Sequence, residues 1–220
     1  MIKAIIFDYG GVLTTEGSFS PFVNYYAIKF KKNPEELRIL IKDLWNKAKV
    51  NKIDSKIFWV DIAKFLDLEP KKVKKDIMNY FKFRNDVFRL IQNLKKNGYK
   101  LALLTNHIED WFEEEIKNHN LNSVFDVIVT SYNTNDAKPN KFIYKKVITL
   151  LKVNPHECIF IDDLKENLVP AKELGLETIN YKSTLILKAK LISLGIRTSI
   201  NRNLYRSRKI PHSKNSHNLH

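Results

Sequence analysis

The 220 residues, 44% of them hydrophobic, suffice to bury one substantial core together with a small accessory unit. The formal net charge is +14, and the single cysteine, Cys158, excludes an intrachain disulfide and reads as a small buried hydrophobe. The first apolar run is interrupted by Asp8 and carries no cleavage pattern, while the run over 185–196 is broken by Lys188 and Lys190; a soluble, cytoplasmic protein with no membrane partner is expected.

The chain opens on Ile2, Ala4, Ile5, Ile6 and Phe7, a short apolar run suited to a strand covered on both faces. It delivers one carboxylate, Asp8, into a turn containing Gly10 and Gly11. Two glycines permit a close backbone approach, so a ligand could rest on main-chain N–H groups beside Asp8. Alone, this pattern equally describes an Asp that ends a strand and caps a turn.

Residues 18–83 carry four helical patterns, over 20–32, 34–49, 55–66 and 70–82, punctuated by Pro34, by residues 51–54 and by Glu69-Pro70. The segment is rich in aromatic residues, among them Phe19, Phe22, Tyr25, Tyr26, Phe30, Trp45, Phe58, Trp59 and Phe65, most of which should form its own core. Lys42, Lys47, Lys49 and Lys52 read first as a solvated helix face and second as a greeting for an anionic substrate.

From Asp86 onward helical patterns alternate with strands at 100–105, 125–130, 158–162 and 177–180. This alternation predicts an α/β fold, a Rossmann-like parallel sheet with crossover helices. Gly98 and Gly175 stand where two of those helices should end. Ligands of such sheets bind beyond the carboxyl ends of the strands, which is where Asp8, Thr105 and Asp162 fall.

Asp8, Asp162 and Asp163 brought together would repel one another unless a hard cation, most naturally Mg²⁺, sat among them. One of the pair at 162–163 should also serve the start of the next helix. The Thr105 hydroxyl, the Lys138 ammonium and the N–H groups around Tyr9 and Asn106 suit a phosphate, and Pro139 stiffens the loop that carries Lys138. Each also has an ordinary reading as a strand end or surface charge.

The order strand-Asp8, strand-Thr105, Lys138, strand-Asp162-Asp163 resembles the haloacid dehalogenase-like hydrolase superfamily over about residues 1–195. The resemblance implies subfamily I, with a core domain of 1–17 and 84–195 and a helical cap of C1 type at 18–83. It implies a Mg²⁺-dependent phosphatase acting on a small organic phosphate ester, a sugar phosphate or nucleotide-like compound, through an aspartyl-phosphate. Asp8 is then the nucleophile, with Thr105 and Lys138 also catalytic. Tyr9, Gly10, Gly11, Thr105, Asn106 and Lys138 would hold phosphate; Asp8, the Gly10 carbonyl, Asp162 and Asp163 would hold the metal.

Most phosphatases of this superfamily have a second Asp, the acid–base, where this chain has Gly10. The Asp-x-Gly-Gly-Val form resembles a branch that includes sugar-phosphate phosphatases. His107 or Glu16 could substitute, although a surface histidine at a helix entrance is the commoner meaning of His107. Two rivals remain. A metal-independent 2-haloacid dehalogenase uses the same nucleophile on carbon, but Asp162-Asp163 would repel its carboxylate substrate. A weak or inactive relative could instead act as a binding or regulatory protein.

The segment 196–220 reads as a basic, disordered tail, holding +6 of the net charge between 197 and 220 with no acid. A nucleic-acid partner is expected only through it. The sequence sets no oligomeric state.

Overall fold

The computed structural model describes residues 1–199. Five parallel strands form one sheet: β1 (Ala4–Phe7), β2 (Lys100–Thr105), β3 (Val127–Thr130), β4 (Cys158–Asp162) and β5 (Glu177–Asn180), in the order β3-β2-β1-β4-β5. The chain winds outward from β1 in both directions, which places a crevice beyond the carboxyl end of β1. In register, Phe7 pairs with Leu103 of β2 and with Ile161 of β4. The central strand is wholly buried, as an unbroken apolar run covered on both faces requires.

Helices cover the sheet: α5 (Asn85–Lys96), α6 (Glu109–Asn118), the one-turn α7 (Ser131–Thr134), α8 (Lys141–Leu151) and α9 (Lys165–Glu173) lie in the crossovers, and α10 (Thr184–Ser193) follows β5. Gly98 and Gly175 follow α5 and α9 with φ of +90° and +89°, the left-handed caps expected of them. One strand is shorter than its apolar run. Phe125 and Asp126 precede β3: Asp126 Oδ2 accepts the Leu101 N–H at 2.8 Å in place of a backbone carbonyl, while the Asp126 N–H still donates to the Leu101 carbonyl at 2.8 Å. Cys158 is buried, and burial pushes its thiol up to about 11, in keeping with an inert side chain.

Between β1 and α5 lie four further helices: α1 (Ser20–Lys29), α2 (Pro34–Ala48), α3 (Ser55–Leu66) and α4 (Pro70–Tyr80). Asn33 caps α2 by accepting from the N–H groups of Glu35 and Glu36, and Asp54 caps α3 through Lys56. Three of the helices stop short of their sequence patterns, α2 by a single residue. α1 ends before Lys31, whose φ is +52°, and α4 ends before Phe81 because residues 82–84 run beside 13–15. The helices share a core of their own, including Phe22, Leu37, Phe58 and Ile77, to which Ile108 and Trp111 of the sheet side contribute. We propose that 18–83 is a cap and that 1–17 with 84–195 is the core.

The carboxyl-terminal boundary needs correction. Ile196 and Thr198 are buried, the Arg197 N–H donates to Tyr99 Oη at 3.2 Å, and Asn97 Nδ2 donates to the carbonyls of Arg197 and Ser199. Residues 196–199 thus belong with the packed body, since apolar Ile196 joins the sheet's core cluster. The remainder of the expected tail, 200–220, lies outside the described residues. No helix of the described residues is long and apolar enough to cross a membrane.

Candidate active site

Asp8 leaves β1 with its N–H donated to the Ile161 carbonyl at 2.9 Å, which sets it beside the end of β4. The next turn largely satisfies itself. Tyr9 N–H donates to Asp8 Oδ1 at 2.6 Å, and Gly11 N–H lies on Thr14 Oγ1 at 3.1 Å and the Glu16 carbonyl at 2.9 Å. The amides of Tyr9 and Gly11, expected to face phosphate, are therefore committed within the turn.

The two glycines are not equivalent. Gly11 has φ of +69°, and a Cβ there would stand 2.2 Å from Asp163 Oδ2. Gly10 has no such backbone, and the nearest atom to a Cβ is 3.9 Å away, so its conformation does not demand glycine. Gly17, which the sequence reading passed over, is the second tight position: its Cβ would lie 2.4 Å from Asp163 Oδ2.

Lys138 joins the acids. Its Nζ is 2.8 Å from Asp8 Oδ1 and 2.7 Å from Asp162 Oδ2, with the side chain 1% exposed. Asp162 also accepts from the Leu164 N–H at 2.9 Å and from Asn167 Nδ2 at 3.1 Å, so it is the member of the pair that organises the turn into α9. Asp163 is less covered and faces the glycines.

One ammonium among three carboxylates leaves two negative charges when all are ionised. Burial, and then the neighbouring acids, raise the Asp8 carboxyl well above its ordinary range against the opposing pull of Lys138; Asp163 is raised by burial and by Asp162. Oxygens from Asp8, Asp162 and Asp163 lie within 4.8 Å of one another. The deficit in charge, the hard oxygen donors and their spacing fit a divalent cation.

A cavity of about 300 Å³ opens above this cluster, lined at the sheet side by Asp8, Gly10, Asn106 and Lys138. Asn106 grips Lys138 by its backbone, a role missed in the sequence for want of any local signal. Asn167 is a second such residue, holding Asp162 through two bonds from its Nδ2. Thr105 ends β2 at 1% exposure and is not among the residues lining the cavity.

His107 is the clearest departure from expectation. It is 5% exposed, with ring centroids of Trp111 and Phe112 at 4.7 and 5.0 Å, and burial lowers its pKa to about 4. It lines the cavity as a neutral ring at pH 7 and is no surface histidine. Its neighbour Glu115, also missed, is a buried carboxylate that accepts from Tyr9 Oη at 2.5 Å and Trp111 Nε1 at 3.1 Å, tying the turn after Asp8 to α6.

A parallel sheet flanked by helices that presents a carboxylate, a lysine and an acidic pair at its carboxyl edge is the architecture of a Rossmann-like hydrolase. The family model described as haloacid dehalogenase-like hydrolase matches residues 5–181, and the chain belongs to that family. A curated relative, pyrophosphatase PpaX of Bacillus thuringiensis (strain Al Hakam), is 28% identical over 138 residues, covering 58% of this chain and 64% of the relative. The chain thus spans somewhat under two thirds of that relative's length.

Among solved structures, a HAD family enzyme of Bacteroides thetaiotaomicron in complex with magnesium and inorganic phosphate superposes with TM-score 0.70 at 23% identity, over 83% of this chain and 95% of that one. L-2-haloacid dehalogenase of Xanthobacter autotrophicus, with chloropropionic acid covalently bound, gives TM-score 0.57 at 21% identity, over 90% and 85%. These likenesses show the common fold.

Proposed function

We propose that the protein is a Mg²⁺-dependent phosphatase that hydrolyses a small organic phosphate monoester through an aspartyl-phosphate on Asp8. The observation that carries the reading is the convergence of Asp8, Asp162 and Asp163 on one point with Lys138 in ion-pair contact with Asp8 and Asp162. Asp8, the Gly10 carbonyl, Asp162 and Asp163 would hold the metal, which supplies positive charge to phosphate oxygens when bound.

Asp8 Oδ1 is oriented by Tyr9 N–H and Lys138 Nζ, while Oδ2 accepts no hydrogen bond from the described residues. A free carboxylate oxygen attacks phosphorus, the P–O bond to the leaving group breaks, and the departing oxygen takes the electron pair and a proton. Water then attacks phosphorus, the bond to Asp8 breaks, and phosphate leaves with the Asp8 carboxylate restored. Lys138 would neutralise the equatorial oxygens, with Asn106 and the Gly10 amide as further donors, whereas Thr105, buried and away from the cavity, supports the end of β2. Gly10 has no proton to give, and His107 is neutral at pH 7; solvent or Glu16, which lines the cavity, is the proton source.

The rival reading, haloacid dehalogenation, gains from the absence of an acid at position 10 and from the shared fold. It requires a substrate carboxylate to approach Asp163 and Asp162 without a compensating cation, which is repulsive. Phosphate and halide release, measured with Mg²⁺ and with EDTA on wild type and Asp8→Asn, separate the two. Mg²⁺-dependent phosphate release lost in Asp8→Asn supports the phosphatase; metal-independent halide release overturns it.

A further inference from the structure

The cavity above Asp8 has a second half, built from the helices between β1 and α5 and from α6. Phe19, Trp45, Phe81 and Trp111 line it, with Phe19–Trp45 centroids 5.1 Å apart and Phe81–Trp111 5.3 Å apart. Trp111 belongs to the helices' core, whereas the other three rings differ from the core aromatics. Phe22 and Phe58 are wholly buried and do not reach the cavity, whereas Phe19, Trp45 and Phe81 are only partly covered. These three rings pack against the helical core yet stay partly uncovered where they line the cavity, apolar area that a ligand could bury.

Neutral His107 continues the same wall, 5.5 Å from Trp45. The wall's cation is Lys49, which follows α2 and is half-buried. Its Nζ donates to Asn46 Oδ1 at 2.8 Å and has no carboxylate within ion-pair distance among the described residues; Glu166 is the acid that faces it from farther away. A desolvated ammonium without a contacting anion is costly and is satisfied by an acceptor entering the cavity.

We propose that the leaving group of the substrate is a flat aromatic ring, stacked among Phe19, Trp45, Phe81 and Trp111, with an anionic substituent directed at Lys49. The proposal rests on the phosphatase reading and narrows it. A polyhydroxylated sugar would bring many hydroxyls against rings that cannot bond them, and pyrophosphate would leave the rings uncovered. An aryl phosphate satisfies both halves of the cavity, since ring stacking and cation contact are favourable where water is excluded.

The test is calorimetric titration of Asp8→Asn protein with Mg²⁺, which reads binding without turnover. Naphthyl phosphate should bind at least about 10-fold more tightly than a hexose phosphate or pyrophosphate, the scale of one stacked ring. Trp45→Leu, which keeps apolar volume, should erase that advantage and leave inorganic phosphate binding unchanged. Lys49→Met should erase a preference for para-carboxyphenyl phosphate over phenyl phosphate. If inorganic phosphate binds but the aryl esters have no advantage, or if Trp45→Leu weakens all phosphates alike, the aromatic proposal is overturned alone. If no phosphate of any kind binds folded protein, the phosphatase reading falls with it.

Discussion

Asn106 holds Lys138 by both ends of its peptide: the Lys138 N–H donates to Asn106 Oδ1 at 2.8 Å, and Asn106 Nδ2 donates back to the Lys138 carbonyl at 2.9 Å. The residue after the second strand thereby fixes the loop whose ammonium reaches Asp8. Replacing Asn106 by Ala removes two bonds, worth about 1–3 kcal/mol together. The larger consequence is positional. We expect kcat to fall by about 100-fold, the scale set by small misplacements of a catalytic group, with the protein still folded by circular dichroism. A variant with unchanged kcat would show that Lys138 is positioned by other means.

Gly17 and Gly10 make a paired prediction. A methyl group at Gly17 meets the Asp163 carboxylate at 2.4 Å, whereas at Gly10 it meets nothing closer than 3.9 Å. Gly17→Ala should displace Asp163 and weaken Mg²⁺ half-saturation by about 10–100-fold, the usual reach of a disturbed ligand environment. Gly10→Ala should leave that value within about 2-fold, because no ligand is displaced. Mg²⁺ titration of activity in the two variants checks the contrast, and equal effects would remove Asp163 from the metal site.

His107 gives a pH prediction. Its folded pKa, lowered to about 4 by burial, lies below its ordinary 6.5, so the unfolded chain binds the proton first. The neutral ring's contribution is intact above pH 6.5 and is lost as pH falls toward 4, by about 3 kcal/mol at about 1.36 kcal/mol per pKa unit. Denaturant unfolding across this window should show the loss in wild type and a shallower slope in His107→Leu. Parallel slopes would mean that His107 does not carry it.

Much of this architecture is legible in the sequence because its signals are local. The run Ile2 to Phe7 and the run Cys158 to Ile161 are apolar without alternation, and Pro34, Asp54 and Pro70 mark helix starts by their own chemistry. The acids and Lys138 were readable because each ends a strand or a short loop after one. What was hidden depends on distant pairings. Gly17 matters only because Asp163, far along the chain, packs on it, and Glu115 only because Tyr9 reaches it. His107 was misread as exposed since three aromatic neighbours, Tyr9, Trp45 and Trp111, come from separate elements. The boundary at 196 failed for the same reason, as Asn97 and Tyr99 hold residues that look like tail.

The covalent role proposed for Asp8 admits one direct measurement. Protein mixed with Mg²⁺ and an aryl phosphate is quenched in acid within the first turnover and digested, and the peptide that holds Asp8 is weighed by mass spectrometry. The account predicts the added mass of one phosphoryl group on that peptide, labile to hydroxylamine, and none in Asp8→Asn or with EDTA. Phosphate release that proceeds in wild type with no such adduct, or that survives Asp8→Asn, would contradict it.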